Sequence, residues 1–165
     1  MAALNTGVAA PDFTLKTLDR KNFSLKEALA RGPVVLAFFK VSCPVCQYAF
    51  PFLQRIYKAY GQKTVTLVGI SQDTAPDTNA FVKEYGITFP VLLDDPASYP
   101  VSNAYGLTNV PSIFWIAQDG GIEISSVGWS RQDIETIDRK MAEDAAGAAR
   151  PLFQPGDDVR DFRAG

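Results

Sequence analysis

The sequence predicts an α/β fold, a central mixed β-sheet flanked by helices with an N-terminal extension. Three apolar runs are the first sign: "PVVLAFF" at 33–39, "TVTLVGI" at 64–70 and "SIFWIA" at 112–117. Their length and β-branched content suit strands buried on both faces. Between them lie segments with apolar residues three and four apart, the helical period. A "DGG" turn at 119–121 then leads into "IEISSVGW", as a hairpin and its antiparallel edge require. Strands alternating with helices, closed by a hairpin and a last helix, put helices on both faces of the sheet. Crossovers between its parallel strands should be right-handed.

The elements follow in order. Residues 7–29 mix turn residues with "PDFTL", which suits short strands or a hairpin. The run at 33–39 starts after Gly32 and reads as the first buried strand. From 44 to 60, Cys46, Ala49, Phe50, Leu53, Ile56, Tyr57 and Tyr60 fall on one helical face, with Gly61 as the stop. Pro51 lies inside this helix and cannot donate to the Gln47 carbonyl, so a kink is expected. Residues 64–70 form the second strand. A helix at 76–85 is capped near Thr74 or Ala75 and ended by Gly86. "FPVLLD" at 89–94 reads as a short strand, and 99–105 as a brief helix closed by Gly106. After the strand at 112–117 and its hairpin, Ser130 caps the final helix, with Asp133 three residues on. Ile134, Ile137, Met141 and Ala145 form its apolar stripe.

Beyond Gly147 the chain changes character. Pro, Gly and charge surround three large apolar residues, Leu152, Phe153 and Phe162. The expected division is a body at 1–147 and an extended tail at 148–165. Burial of a large apolar side chain contributes about 1.5–3 kcal/mol, against about 1–2 kcal/mol per ordered residue. Leu152 and Phe153 are therefore expected to dock on the body or on a second copy of it, while the end past Arg163 frays.

At 165 residues the chain is large enough for one domain with a real core. Its net charge of −2 provides no electrostatic attraction to nucleic acid or an anionic membrane. No run approaches 18 apolar residues, so no spanning helix is expected. "MAALNTGVAAPDF" has neither a basic start nor a long apolar core, so a cytoplasmic location is expected, or a periplasmic or exported one where a signal has been removed. Histidine is absent. That removes Ser-His-Asp and Cys-His catalysis, zinc sites containing histidine, and haem attachment through Cys-x-x-Cys-His.

The two cysteines of the chain stand together as Cys43-Pro44-Val45-Cys46. Pro44 suits the first helical position, which puts Cys43 at or near the N-cap. There the unpaired N–H groups and the helix dipole favour its thiolate, the reactive form. Cys46, one turn further in, lies within reach of a disulfide. So small a ring yields little loop-closure stabilisation, which points to redox chemistry rather than stapling. Half a zinc site would need further ligands, and no other Cys or His exists. Two inert core cysteines are the remaining alternative. Pro111, in "LTNVPSIFW", reads by itself as a strand-entry proline, and such bonds are usually trans.

These residues resemble the thioredoxin-like superfamily, and more narrowly the TlpA/ResA-type and AhpC/TSA-type redoxins. The resemblance spans about residues 7–146 and rests on "GVAAPDFTL", "VVLAFF", "CPVC", Pro51, "FVKEYGITFPVLLD", "AYGLTNVPSIFWI" and "QDGGI", in that order. It implies a thiol-disulfide oxidoreductase without a cofactor, with Cys43 attacking and Cys46 resolving. It also implies that Val110-Pro111 is cis, packs beside the sulfurs and offers its backbone to substrate as to an added strand. The partners implied are a disulfide-bearing protein or small thiol substrate and a recharging redox partner, with a homodimer possible. Ser42 stands where a Trp often precedes the first cysteine. Ala37 and Ala49 stand where relatives carry carboxylates, which leaves no proton acceptor for Cys46. Lys40 is the nearest ionisable residue and reads as a solvated lysine. A thiol peroxidase is the main alternative, and a non-catalytic binding module the other. Against the peroxidase, the Thr or Ser expected three residues before Cys46 is Cys43, the upstream proline is Phe39, and Arg131 is an uncertain stand-in for the arginine.

Overall fold

The structure, a computed structural model, describes residues 3–61, 63–147 and 150–165. Met1 and the expected start of the tail at 148 lie outside them. Strands β1 (Thr14–Thr17) and β2 (Asn22–Ser24) form the expected N-terminal hairpin, and helix α1 (Leu25–Arg31) follows directly. The core strand β3 (Val34–Phe39) leads into α2 (Pro44–Tyr60), then β4 (Thr66–Ser71), α3 (Ala75–Tyr85), β5 (Val91–Leu93) and α4 (Pro100–Ala104). The hairpin β6 (Ser112–Ile116) and β7 (Ile122–Val127) precedes β8 (Trp129–Ser130), α5 (Arg131–Asp144) and β9 (Phe162–Arg163).

Helix α1 and the short strand β9 are elements that the sequence reading lacks, and α1 is the longer. The signal for α1 is present: the Ser24 hydroxyl accepts the Glu27 N–H at 3.3 Å, a Ser-x-x-Glu start. Strand β5 is shorter than the expected 89–94, because Pro90 cannot donate into the ladder and stands just before it. Helix α2 runs its full expected length through Pro51.

The seven-stranded sheet has the order β2-β1-β5-β4-β3-β6-β7. Strands β3, β4 and β5 are parallel, and β6 runs antiparallel to β3. Alternation along the fully buried strands sorts their side chains between two cores. Val35, Ala37 and Phe39 meet α2, α3 and α5 on one face. Val34, Leu36 and Phe38 meet α1 and α4 on the other. The stripe on α5 faces the first core through Ile134, Ile137 and Met141, all at most 1% exposed. On the second face, buried Asp94 at the end of β5 caps α4, accepting the N–H groups of Val101 (3.2 Å) and Ser102 (2.8 Å).

The tail returns to its own body. Leu152 and Phe153 pack on the first core, in agreement with the docking expected of them. Arg55 grips the segment, donating to both carboxylate oxygens of Asp157 (2.7 and 3.1 Å) and to the Leu152 carbonyl (3.1 Å). Beyond Arg163 the chain does not fray: the Gly165 carbonyl accepts from the Asn109 side chain at 3.1 Å.

Candidate active site

The site is assembled where three chain segments meet at one end of the central strands. Strand β3 ends at Phe39, and a turn joins it to α2, with the Cys43 N–H bonded to the Lys40 carbonyl at 3.2 Å. Two side-chain bonds hold that turn. The Asp73 carboxylate accepts the Val41 N–H at 2.8 Å, and the Gln47 side chain donates to the Val41 carbonyl at 2.9 Å. Cys43 is the N-cap of α2 with Pro44 behind it, as expected. Its sulfur accepts the Cys46 N–H at 3.2 Å, satisfying one of the orphan donors of the helix start.

The two thiols occupy different environments. Cys43 is half-buried and Cys46 is fully buried. Burial pushes the Cys46 thiol well above its ordinary value, and its hydrogen bond with Cys43 adds to the effect. The Lys40 backbone N–H opposes it, while the negative charge of Asp73 reinforces it. An anion at Cys46 loses solvation that the Lys40 backbone replaces only in part.

Because β6 pairs antiparallel with β3, its start lies beside the end of β3, with Ser112 opposite Phe38. This register brings Val110 and Pro111 to the sulfurs. The Cys43 thiol donates to the Val110 carbonyl at 3.5 Å, a contact within sulfur hydrogen-bond range. The Val110-Pro111 bond is cis, as the resemblance implies. The neighbouring backbone is tied down: Gly128 N–H donates to the Pro111 carbonyl (2.8 Å), and the Ser112 hydroxyl to the Asn109 carbonyl (2.7 Å).

A cleft of about 420 Å³ opens beside Cys43, walled by Lys40, Tyr99, Asn103, Asn109 and Val110. The Lys40 ammonium sits 5.3 Å from the centre of the Tyr99 ring. Arg131 is not among the cleft residues. Its guanidinium pairs with Glu135 at 2.7 Å and covers the Phe153 ring at 5.1 Å. Among the described residues, no group of three His, Cys, Asp or Glu side chains could hold a metal ion. No helix there is long and apolar enough to cross a membrane.

Cys43, Cys46, Val110 and Pro111 are thus brought together. Ala37 and Ala49 are fully buried, and as alanines neither supplies a proton acceptor for Cys46. Asp73 was missed by the sequence reading. Its signal was its position just past a buried parallel strand, since functional groups of α/β folds collect at the carboxyl ends of strands. Asp73→Ala is expected to cost about 1–3 kcal/mol by orphaning the Val41 N–H. Asp73→Asn, which keeps an acceptor oxygen, should lose less. Urea unfolding of the two variants checks the difference.

Residues 6–125 match the AhpC/TSA family. The thiol-disulfide oxidoreductase ResA of Bacillus cereus (strain ATCC 10987 / NRS 248) is 30% identical over 120 residues, 72% of this chain and 68% of that protein. ResA of Bacillus anthracis is 29% identical over 126 residues, 76% and 71% of the two chains. Among solved structures, a putative protein disulfide isomerase from Bacteroides thetaiotaomicron superposes with a TM-score of 0.79, covering 88% of this chain and 95% of that one. At 24% identity that likeness speaks for the thioredoxin-like fold alone.

Proposed function

This chain belongs to the AhpC/TSA family, and from that membership we propose that it is a thiol-disulfide oxidoreductase worked by Cys43 and Cys46. The asymmetry of the pair carries the assignment of roles: Cys43 is half-exposed on a cleft at a helix start, whereas Cys46 is buried behind it. In the reductive direction the Cys43 thiolate attacks one sulfur of a substrate disulfide. A mixed disulfide forms and one substrate thiolate leaves. Cys46 then gives up its proton and attacks the Cys43 sulfur, releasing the second substrate thiolate. Two electrons pass to the substrate, and the pair ends as a Cys43–Cys46 disulfide. A thiol or dithiol partner must return those electrons.

The substrates are disulfide-bearing proteins or small disulfides. Val110 and Pro111 are the substrate-binding residues in this reading, because they lie against the attacking sulfur and their chain could pair with an extended peptide. The redox titration of the couple tests the proposal. A reversible two-electron couple is expected, with a potential between about −270 mV, characteristic of a reductant, and about −120 mV, characteristic of an oxidant. Rapid consumption of hydrogen peroxide without a reversible couple would overturn it in favour of a peroxidase.

A further inference from the structure

The described chain ends on the site itself. Up to Asp161 the tail is firmly seated. The Tyr48 hydroxyl donates to the Asp158 carbonyl (2.5 Å) and accepts the Arg160 N–H (2.8 Å). The Trp129 indole donates to the Arg160 carbonyl (2.5 Å), and the Arg131 N–H to that of Asp161 (2.9 Å).

Residues 162–165 are held more lightly. Their ladder with β8 is two residues long, Trp129 to Arg163 and Ser130 to Phe162. Phe162 is 63% exposed, so little burial fixes it. Nevertheless the segment is closely fitted. A methyl group on Gly165 would overlap the Val110 carbonyl and come within 3.4 Å of the Pro111 nitrogen. One on Gly128 would overlap the Arg163 carbonyl and lie 3.1 Å from the Gly165 nitrogen. Residues 163–165 therefore fill the groove between Gly128 and Val110-Pro111. Gly165 also forms part of the wall of the cleft that holds Cys43.

We propose that residues 162–165 are a specificity element that selects which disulfides reach Cys43. Compact disulfides enter the open cleft. An extended peptide seeking the Val110 backbone finds that place taken by the chain's own segment and must displace it. The proposal rests on the reading that Val110 and Pro111 bind substrate. Lifting is local, because it breaks only the two-residue ladder with β8, the Arg163 contact with the Tyr48 ring and the Asn109–Gly165 bond, and the apparent affinity for an extended strand falls by the fraction of time the groove is open.

The test compares the intact chain with a deletion of residues 162–165 and with Gly165→Leu, whose side chain cannot share space with the Val110 carbonyl. Two probes separate this proposal from the reading beneath it. Binding of a linear peptide with serine in place of cysteine, followed by tryptophan fluorescence, needs no sulfur chemistry. Both variants should bind it about tenfold more tightly than the intact chain. Turnover of hydroxyethyl disulfide reports whether the dithiol itself works in each of the three proteins. Equal or weaker peptide affinity in both variants would overturn the specificity element. Loss of hydroxyethyl disulfide turnover in the intact chain would instead overturn the dithiol reading, while the peptide affinities still decide the role of the segment.

Discussion

Cys43→Ser should reduce disulfide exchange to background, a loss on the order of 10⁴-fold or more, the scale seen when a covalent nucleophile is removed. The remaining thiol, Cys46, is 0% exposed and held protonated by its surroundings, so it cannot substitute for the missing sulfur. Cys46→Ser is expected to fail differently. Its Cys43 still borders the cleft and can still attack, but nothing displaces the product. One substrate per chain should accumulate as a mixed disulfide, seen as an adduct by intact mass and released by dithiothreitol. Alkylation of the reduced wild-type protein should modify Cys43 first. Adducts on Cys43→Ser and none on Cys46→Ser would reverse the assigned roles.

The second large effect is one of pH. Burial raises the Cys46 thiol above its ordinary value of 9.0, so between neutrality and that value its thiolate fraction grows about tenfold per pH unit. Release of product from a preformed mixed disulfide should follow the same slope. Stopped-flow release from about pH 6 to pH 9 checks it, and a plateau near neutrality would mean that a neighbouring base takes the proton. The same shift affects stability. An unfolded Cys46 loses its proton near 9.0, while the folded one keeps it, so above that pH the unfolded state binds fewer protons. Stability of the reduced protein should fall as pH rises past about 9, by up to about 1.4 kcal/mol per unit. Cys46→Ser, with no thiol to ionise there, should lose this part of the slope.

Local chemistry made much of this protein legible from its residues. Apolar continuity marked β3, β4 and β6, and the three-and-four spacing marked α2 and α5, because solvent exclusion imposes those periods on any chain. The N-cap position of Cys43 followed from Pro44, and the reach of Cys46 from one helical turn. Where the sequence reading lacked an element, as at α1, a local cap was still there in Ser24 and Glu27.

What only the tertiary structure decided lies far apart in the chain. Asp73 reaches Val41 across 32 positions, the Val110 carbonyl meets Cys43 across 67, and the tail meets Tyr48 across 110. Spacing within a helix or strand cannot report such pairs. The strand order of the sheet, the antiparallel register of β3 with β6, and the burial available to Leu152 and Phe153 decide them. Those depend on how every element shares the two cores, and so does the seating of Gly165 against Val110, where only the absence of a side chain lets two backbones approach.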